Sequence, residues 1–321
     1  MRERIKLCAL SALLSSSMIS KPWSNSSKID AQTKKRVRKV SVLTNYVPNH
    51  QVKDLKDKRV KTIGVIIPTI QTEFYSLALE SMIKEANNNG YRIVASISDE
   101  LVSREKENIN FLIQRQVDGI VLSPSKETQK LDDLNHVNLL KQRKIPVVIF
   151  GRSINNLNCE EIGVDDFKEA HRATQNLIRS GRKNILYISG LSGIDLYEKR
   201  KNGFLNAVLN FTGKGNVLEY DSLKISSNEL KYAIRSNGID GILVSDELTA
   251  IQVIKNLLQW GYKIPKDISL IGFSAGIMEE NYRSSLFAID QAPTKQGSLA
   301  VKNIINRMEN EITGAVISYK K

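Results

Sequence analysis

The chain has 321 residues, 47 Lys and Arg against 34 Asp and Glu, and two cysteines, Cys8 and Cys159. That length suits two or three domains, and two cysteines without paired spacing imply neither a disulfide framework nor a thiolate metal site, which fits a reducing, cytoplasmic setting. The net charge of +13 is uneven: residues 1–61 carry 15 Lys/Arg against 4 Asp/Glu and residues 62–321 carry 32 against 30, so the basic character belongs to the N-terminal part and points to a polyanion such as nucleic acid, with a solubilising tail as the plain alternative.

The first twenty residues, MRERIKLCALSALLSSSMIS, loosely imitate a secretory leader, with a basic start, an apolar run from Leu7 to Leu14 and small residues after it. The run is at the short limit, contains Ser11, and leads into a basic segment, so a cytoplasmic protein is the expectation. Ile5, Ala9 and Ala12 share one face of a first short helix, and the stretch from Ser15 to Lys21 opens a second after a turn. Residues 30–43, DAQTKKRVRKVSVL, predict a third: Asp30 caps its free amides, Val37, Val40 and Thr44 share a face, and Lys34, Lys35, Arg36, Arg38 and Lys39 populate the rest. Three short helices with a basic surface describe a helix-turn-helix head. A Tyr46–Asn49 turn and a charged segment around the apolar Leu55 follow.

From Thr62 short apolar runs alternate with amphipathic stretches: TIGVII, RIVASI, VDGIVL, IPVVIF, NILYIS, IDGILV and ISLIGF, separated by segments of helical period. Continuous β-branched runs between such helices predict parallel strands covered on both faces, hence a doubly wound α/β body. Asn87 to Gly90 and Gly181 read as helix ends. A dozen elements over 260 residues exceed one comfortable sheet, so two lobes are expected, with crossings near residues 162 and 290. No run approaches the roughly 18 apolar residues of a membrane span.

Ligands in such folds bind at the loops after the strands. Those loops offer Thr69, Gln71 and Phe74, then Ser123 and Ser125, Arg152, Asp165, Arg200, Ser245 with Asp246, Ser274, and Gln291. The set is mostly neutral hydrogen-bonding groups with two arginines and an aromatic ring, which suits a small polar ligand, although each residue alone reads equally well as a cap or solvated loop. Catalytic patterns are missing. PTIQTEF after the first strand lacks a Gly-rich phosphate loop, His50, His136 and His171 lack metal spacing, and SGLSGID lacks the order of a nucleophile elbow. No enzyme activity, metal or cofactor is expected.

The order SSSMISK, KIDAQTKKRV, NYVPN, Leu55 and KTIGVIIP resembles the LacI family of bacterial transcription regulators. The likeness extends through DGIVLSP, IPVVIFGR, GVDDF, Arg200 with Gly203-Phe204, VSDELTA, IPKDISLIGF and Gln291 to Pro293, nearly the whole chain. Each motif is weak alone; their order and spacing carry the resemblance. It implies a head at residues 1–48, a hinge at 49–61 and a two-lobed body at 62–321 similar to periplasmic sugar-binding proteins, with one lobe of residues 62–162 plus 290–321 and the other of 163–289. It implies a homodimer on a roughly two-fold, double-stranded DNA operator. Ser16 and Ser17 would lie near base edges, Lys21 near bases or phosphate, Asn49 at the end of the head, and Leu55, beside Lys53, would wedge into the minor groove. The body would bind a small polar effector, carbohydrate-like, through Thr69, Phe74, Ser123, Arg152, Asp165, Arg200, Ser245, Asp246, Ser274 and Gln291.

Departures from the family pattern are specific. Leu7 and Leu13 replace polar or small residues of the head, and Pro22 and Trp23 fall inside the expected recognition helix, where a proline costs on the order of 3 kcal/mol. Gly151 and Ser274 stand where many members have aspartates, Ser245 stands for an asparagine, and Lys321 falls about where the family's last strand would begin. The expectation is an effector-responsive DNA-binding regulator. The rivals are an exported solute-binding protein and a regulator remnant defective in DNA binding.

Overall fold

The computed structural model divides the chain into two compact units, Met1–Val60 and Lys61–Lys321. It describes Gln32, Lys35 and Lys39, and residues 60–321 except 155, 156, 158, 191–193, 221–224, 276–285 and 314–321, with backbone alone at 286, 287 and 310–313. In the first unit Gln32, Lys35 and Lys39 are helical and exposed, within the helix expected over residues 30–43. The DNA-facing assignments at Ser16, Ser17, Lys21, Asn49, Lys53 and Leu55, and the proline at Pro22, lie outside the described residues.

The second unit contains two parallel five-stranded sheets. The first is built from β1 (Thr62–Ile67), β2 (Arg92–Ile97), β3 (Gly119–Leu122), β4 (Val147–Phe150) and β5 (Glu160–Ile162), in the order β2-β1-β3-β4-β5. The second uses β6 (Asn184–Ser189), β7 (Lys214–Glu219), β8 (Gly241–Val244), β9 (Ser269–Ser274) and β10 (Leu286–Asp290), in the order β10-β9-β8-β6-β7. Between the strands run α1 (Glu73–Asn88), α2 (Val102–Gln114), α3 (Lys126–Leu131), α4 (Asn135–Gln142), α5 (Asp166–Arg179), α6 (Asp195–Val208), α7 (Ser227–Ser236) and α8 (Glu247–Gln259), with α9 (Pro293–Thr313) last.

The two-residue strand period sends alternate β-branched residues to opposite helical layers. Ile63, Val65 and Ile67 of β1 pack on Ala78 and Met82 of α1 and on Ala300 and Ile304 of α9. Ile66 joins the opposite layer with Ile109 and Leu112 of α2 and Val137 and Leu140 of α4. The second sheet repeats the plan, with Leu186 and Ile188 against α7 and α8, and Tyr187 and Leu243 against α5 and α6. The chain leaves the first sheet after Ile162, and α9 returns to it after Asp290. The two-lobed doubly wound α/β body is therefore as its apolar runs predict.

Three strands were not among those runs: β5, β7 and β10, each at a sheet edge. Strand β7 alternates exposed and half-buried residues along KGNVLE, so it carries no continuous apolar signal. An edge strand has a neighbour on one side only and tolerates polar residues that a central strand cannot. Two turn signals, by contrast, read correctly: Gly90 (φ +75°) and Gly181 (φ +89°) sit just past the ends of α1 and α5 in the left-handed region.

The Gly203-Phe204 pair has a packing cause. A methyl at Gly203 on α6 would stand 2.3 Å from the Phe167 carbonyl oxygen of α5, so the two helices touch through bare backbone there. Phe204 is fully buried and stacks on Tyr187 at 5.6 Å. Gly203→Ala should lower stability by about 1–3 kcal/mol, because overpacking against a rigid carbonyl outweighs the roughly 1 kcal/mol gained in helix propensity. A urea unfolding curve with a lower midpoint and unchanged slope is the expected result; a raised midpoint would show that the helices part freely.

Candidate functional site

The loops at the carboxyl ends of the two sheets face one another, and the polar residues expected from the sequence gather there. On the first lobe, Phe74 at the start of α1 lies parallel to Phe150 at 5.5 Å, and Tyr75 meets both rings edge-on. The Tyr75 hydroxyl and Ser123 Oγ are 2.9 Å apart in a dry environment, and burial pushes the phenol pKa up. Thr69 accepts the Gln71 amide at 3.0 Å and braces the loop after β1. The loop after β3 hangs on a buried carboxylate: Glu105 of α2 accepts from Ser125 N at 2.5 Å and Thr128 Oγ1 at 2.8 Å, with His136 Nε2 at 2.6 Å.

Arg152 is 7% exposed and is held by a two-pronged pair with Glu100, 2.7 Å on each prong, and by the Pro124 carbonyl at 3.0 Å. Burial works against the charged guanidinium, but Tyr75 and Glu100 hold its pKa above the ordinary value. The partner agrees: burial would raise the Glu100 carboxyl, yet its bonds to Arg152 hold it below the ordinary carboxylate value. Glu100 and its neighbour Asp99 both adopt left-handed backbone, at φ 63° and 48°. Two such non-glycine residues in succession cost of order 1 kcal/mol or more each and persist where the surroundings impose them.

On the second lobe Arg200 of α6 is 3% exposed and fully engaged. Its Nε donates to Asp166 Oδ1 at 2.8 Å, Nη1 to the Ser245 carbonyl, and Nη2 to Gln291 Oε1 at 3.2 Å, while the guanidinium plane covers the Phe273 ring at 3.6 Å. Asp246 caps α8, accepting from Thr249 N at 2.9 Å, Thr249 Oγ1 at 2.8 Å and Ser245 Oγ at 2.9 Å. Ser274 Oγ donates to Glu247 Oε1 at 2.8 Å. Asp165 instead caps α5 from its exposed side, bonded to Lys168 N at 3.1 Å and paired with Lys168 Nζ at 2.8 Å, and Lys168 holds its carboxyl low.

Contacts cross between the lobes. Ser153 after β4 bonds Asp195 of α6 and accepts from Lys199 Nζ at 2.7 Å, and Lys199 pairs with Asp195 at 2.5 Å. The Tyr197 phenol, raised by burial, feels Asp246 and Arg200 of its own lobe and Arg152 and Tyr75 of the other. A cavity of about 220 Å³ opens beside the crossing, lined by Gln129, Asp132, Ser153, Ile154, Asp195 and Glu198 among others.

Eight of the ten expected effector residues thus stand around Arg152 and Arg200 or in the loops that brace them; Thr69 bonds the Gln71 amide of its own loop, and Asp165 is half exposed and paired with Lys168. Asp166, one residue on, is the carboxylate that meets Arg200. Sequence reasoning also missed Glu100, Tyr197, Phe273 and the Ser153–Asp195–Lys199 link. The Asp165-Asp166 pair in GVDDF offered a signal, since Asp166 follows the cap and turns inward. Glu100 and Tyr197 offered none, being single polar residues on loops or helix faces of ordinary composition. The sequence departure at Gly151 has a local cause: φ is +72°, and a Cβ there would lie 3.0 Å from the Phe74 ring. Among the described residues no cluster of three or more His, Cys, Asp or Glu could hold a metal ion, and no helix is long and apolar enough to cross a membrane.

Comparison with known proteins agrees with this architecture. The family described as periplasmic binding protein domain matches residues 63–312. Catabolite control protein A of Staphylococcus epidermidis is 26% identical over 310 residues, covering 94% of this chain and 92% of that protein. A solved periplasmic binding protein/LacI transcriptional regulator from Alkaliphilus metalliredigens, complexed with D-xylulofuranose, is 25% identical with a TM-score of 0.67, covering 80% of this chain and 93% of that one. The Lac repressor dimer bound to operator and the anti-inducer ONPF shares the fold at 16% identity and a TM-score of 0.82, covering 95% of this chain and 92% of that one. The resemblance drawn from the motifs, to LacI-type regulators, is the one these comparisons return.

The Arg152–Glu100 pair makes a stability prediction with a defined sign. Arg152→Met should destabilise by about 1–3 kcal/mol, by leaving the Glu100 carboxylate, 33% exposed, without its partner, and adding Glu100→Gln should recover part of the loss. Because the folded Glu100 carboxyl is held low, its contribution is complete above the ordinary carboxylate pKa and vanishes as pH falls through the lowered one, so Glu100→Gln alone should flatten the acid limb of the stability curve. Thermal melts of the three variants between neutral and acid pH check both; an unchanged acid limb would overturn the assignment.

Proposed function

The chain belongs to the periplasmic binding protein domain family, and from that premise we propose that it is a DNA-binding transcription regulator of the LacI type, dimeric, whose operator affinity is set by a small uncharged effector held between the lobes. The support for a regulator is the continuous likeness to LacI-type proteins across head, hinge and body, together with the concentration of positive charge in residues 1–61. Residues 1–48 would read the duplex, 49–61 would act as hinge, and Leu55 would wedge the minor groove while Lys53 meets phosphate.

The observation that carries the effector class is the internal neutralisation of both buried arginines. Arg152 is occupied by Glu100, and Arg200 by Asp166, Ser245 and Gln291. Lys199 is paired with Asp195, while Asp246 and Glu247 add further carboxylates to the same loops. Among the described residues around Arg152 and Arg200 an anionic effector would meet a surplus of carboxylates, with the exposed Lys295, in the pocket that Ser274 lines, as a cation no carboxylate pairs; displacing Glu100 or Asp166 would leave a charge without a partner. A neutral polyol suits the set: carboxylates and seryl oxygens accept from hydroxyls, and the faces of Phe74 and Tyr197 receive the apolar side of a ring. D-xylulofuranose, found in the relative of known structure, is a molecule of that kind.

Effector contacts that differ between open and closed lobes would shift the balance of states by about 1–3 kcal/mol, a 5- to 150-fold change in operator affinity. Two tests separate the parts. Selection from a pool of random duplexes with the full chain should enrich a two-fold site; a pool left unenriched would overturn the regulator reading. A thermal-shift screen should then give stabilisation by uncharged pentoses or hexoses and none by their phosphate esters, since a ligand specific to the folded state raises its stability. Stabilisation by the phosphate esters alone would overturn the neutral-effector reading.

A further inference from the structure

The first lobe is electrically polarised along its strands. The end facing the second lobe is rich in carboxylates, whereas the opposite end, where the parallel strands begin, carries Lys61, Arg92, Arg115, Lys141, Arg143 and Lys144, all exposed. Their grouping follows from the ladder. The Arg92 amide bonds the Lys61 carbonyl at 2.9 Å, the Asp118 amide bonds the Thr62 carbonyl at 2.8 Å, and the Ile120 amide bonds the Pro146 carbonyl at 2.9 Å, so the four loops entering β1 to β4 lie side by side. At about 4.8 Å per strand they form a basic row of roughly 15 Å.

None of these six cations is paired with a carboxylate among the described residues. Arg92 bonds the neutral Asn87 at 3.2 Å, and Arg115 lies over the Phe111 ring at 5.2 Å. Of the carboxylates at this end, Asp118 is taken by the Thr62 amide at 2.9 Å and Glu160 by Arg307 at 3.4 Å, while Glu309, exposed on α9 next to Met308, pairs with none of the six. A body whose overall balance is only +2 has therefore gathered unneutralised positive charge at one end. The same end is where the chain enters the body: Lys61, the residue that follows the N-terminal unit, belongs to the row.

We propose that this end of the first lobe is a second DNA-contacting surface, which meets backbone phosphates of the duplex flanking the site read by the head. The proposal rests on the regulator reading above. A duplex presents one negative charge per about 1.7 Å of its axis, so a 15 Å basic row can neutralise several phosphates and release their counterions without reading sequence. Such contacts add affinity and salt dependence, not specificity.

The test uses the full chain and a random-sequence duplex of about 40 base pairs, with binding measured over a series of salt concentrations. Lys141→Gln, Arg143→Gln and Lys144→Gln are combined in one variant; these residues are exposed and bury nothing, and an unchanged melting temperature verifies folding. A control carries the same charge change at Lys84, Lys255 and Lys295, exposed elsewhere on the body. The expected result is that the slope of log affinity against log salt becomes shallower by about 2 to 3 in the first variant and by less than about 1 in the control. Equal slopes in the first variant and the wild type overturn this proposal and leave the regulator reading standing, as do equal losses in variant and control, which would mark net charge alone. If the wild-type chain binds no duplex, both readings fall.

Discussion

A guanidinium removed from water must keep its charge company and place its N–H donors, and the cleft between the lobes is arranged around two so removed, of which Arg152 leaves its Nε without a partner. Arg200 draws together four separate segments: Asp166 in the first turn of α5, the Ser245 carbonyl after β8, the Phe273 ring on β9 and Gln291 after β10. Arg152 does the same for the loops after β2 and β3. Each arginine is worth more as an organiser of loops than as a net source of stability, since a buried ion pair repays its desolvation only when nearly every donor is placed. The left-handed pair Asp99–Glu100 is intelligible on the same terms: the strain is tolerated because the carboxylate must reach Arg152.

The sites where this chain departs from its relatives follow from that arrangement. Gly151 leaves the space that the Phe74 ring fills, stacked on Phe150, so an aromatic surface stands at that position. Ser274 directs its hydroxyl to Glu247 in the first turn of α8, so a negative charge remains nearby on a different element.

Central strands and core helices were legible because burial on two faces leaves a run of β-branched residues that nothing else explains. The edge strands β5 and β7 were not, because half their surface is open to polar substitution, and the short run of β10, LFAID, was missed although four of its five residues are apolar. At the site the loops were legible from their position after strands, and the two arginines from their type. Their carboxylate partners were harder. Glu100 lies 52 residues from Arg152 and Asp166 lies 34 from Arg200, and a pairing at such separation has no local periodicity to betray it. Asp165 and Asp166 are equivalent in composition, and only the start of α5 decides which of the two meets Arg200.

The remaining step concerns how an event in the cleft reaches the other end of the first lobe. Its strands are four to six residues long where they are central, buried on both faces and closely packed, so they transmit force without deforming. Among the described residues the chain crosses between the sheets after Ile162 and after Asp290, so a rotation of one lobe against the other would be absorbed at those two places. The second crossing holds Gln291, bonded to Arg200, and Ala292, whose φ of 48° is unusual for a residue with a side chain. Arg200 thus grips a residue of the crossing itself. A displacement of Arg200 would therefore change the restraint on that crossing directly.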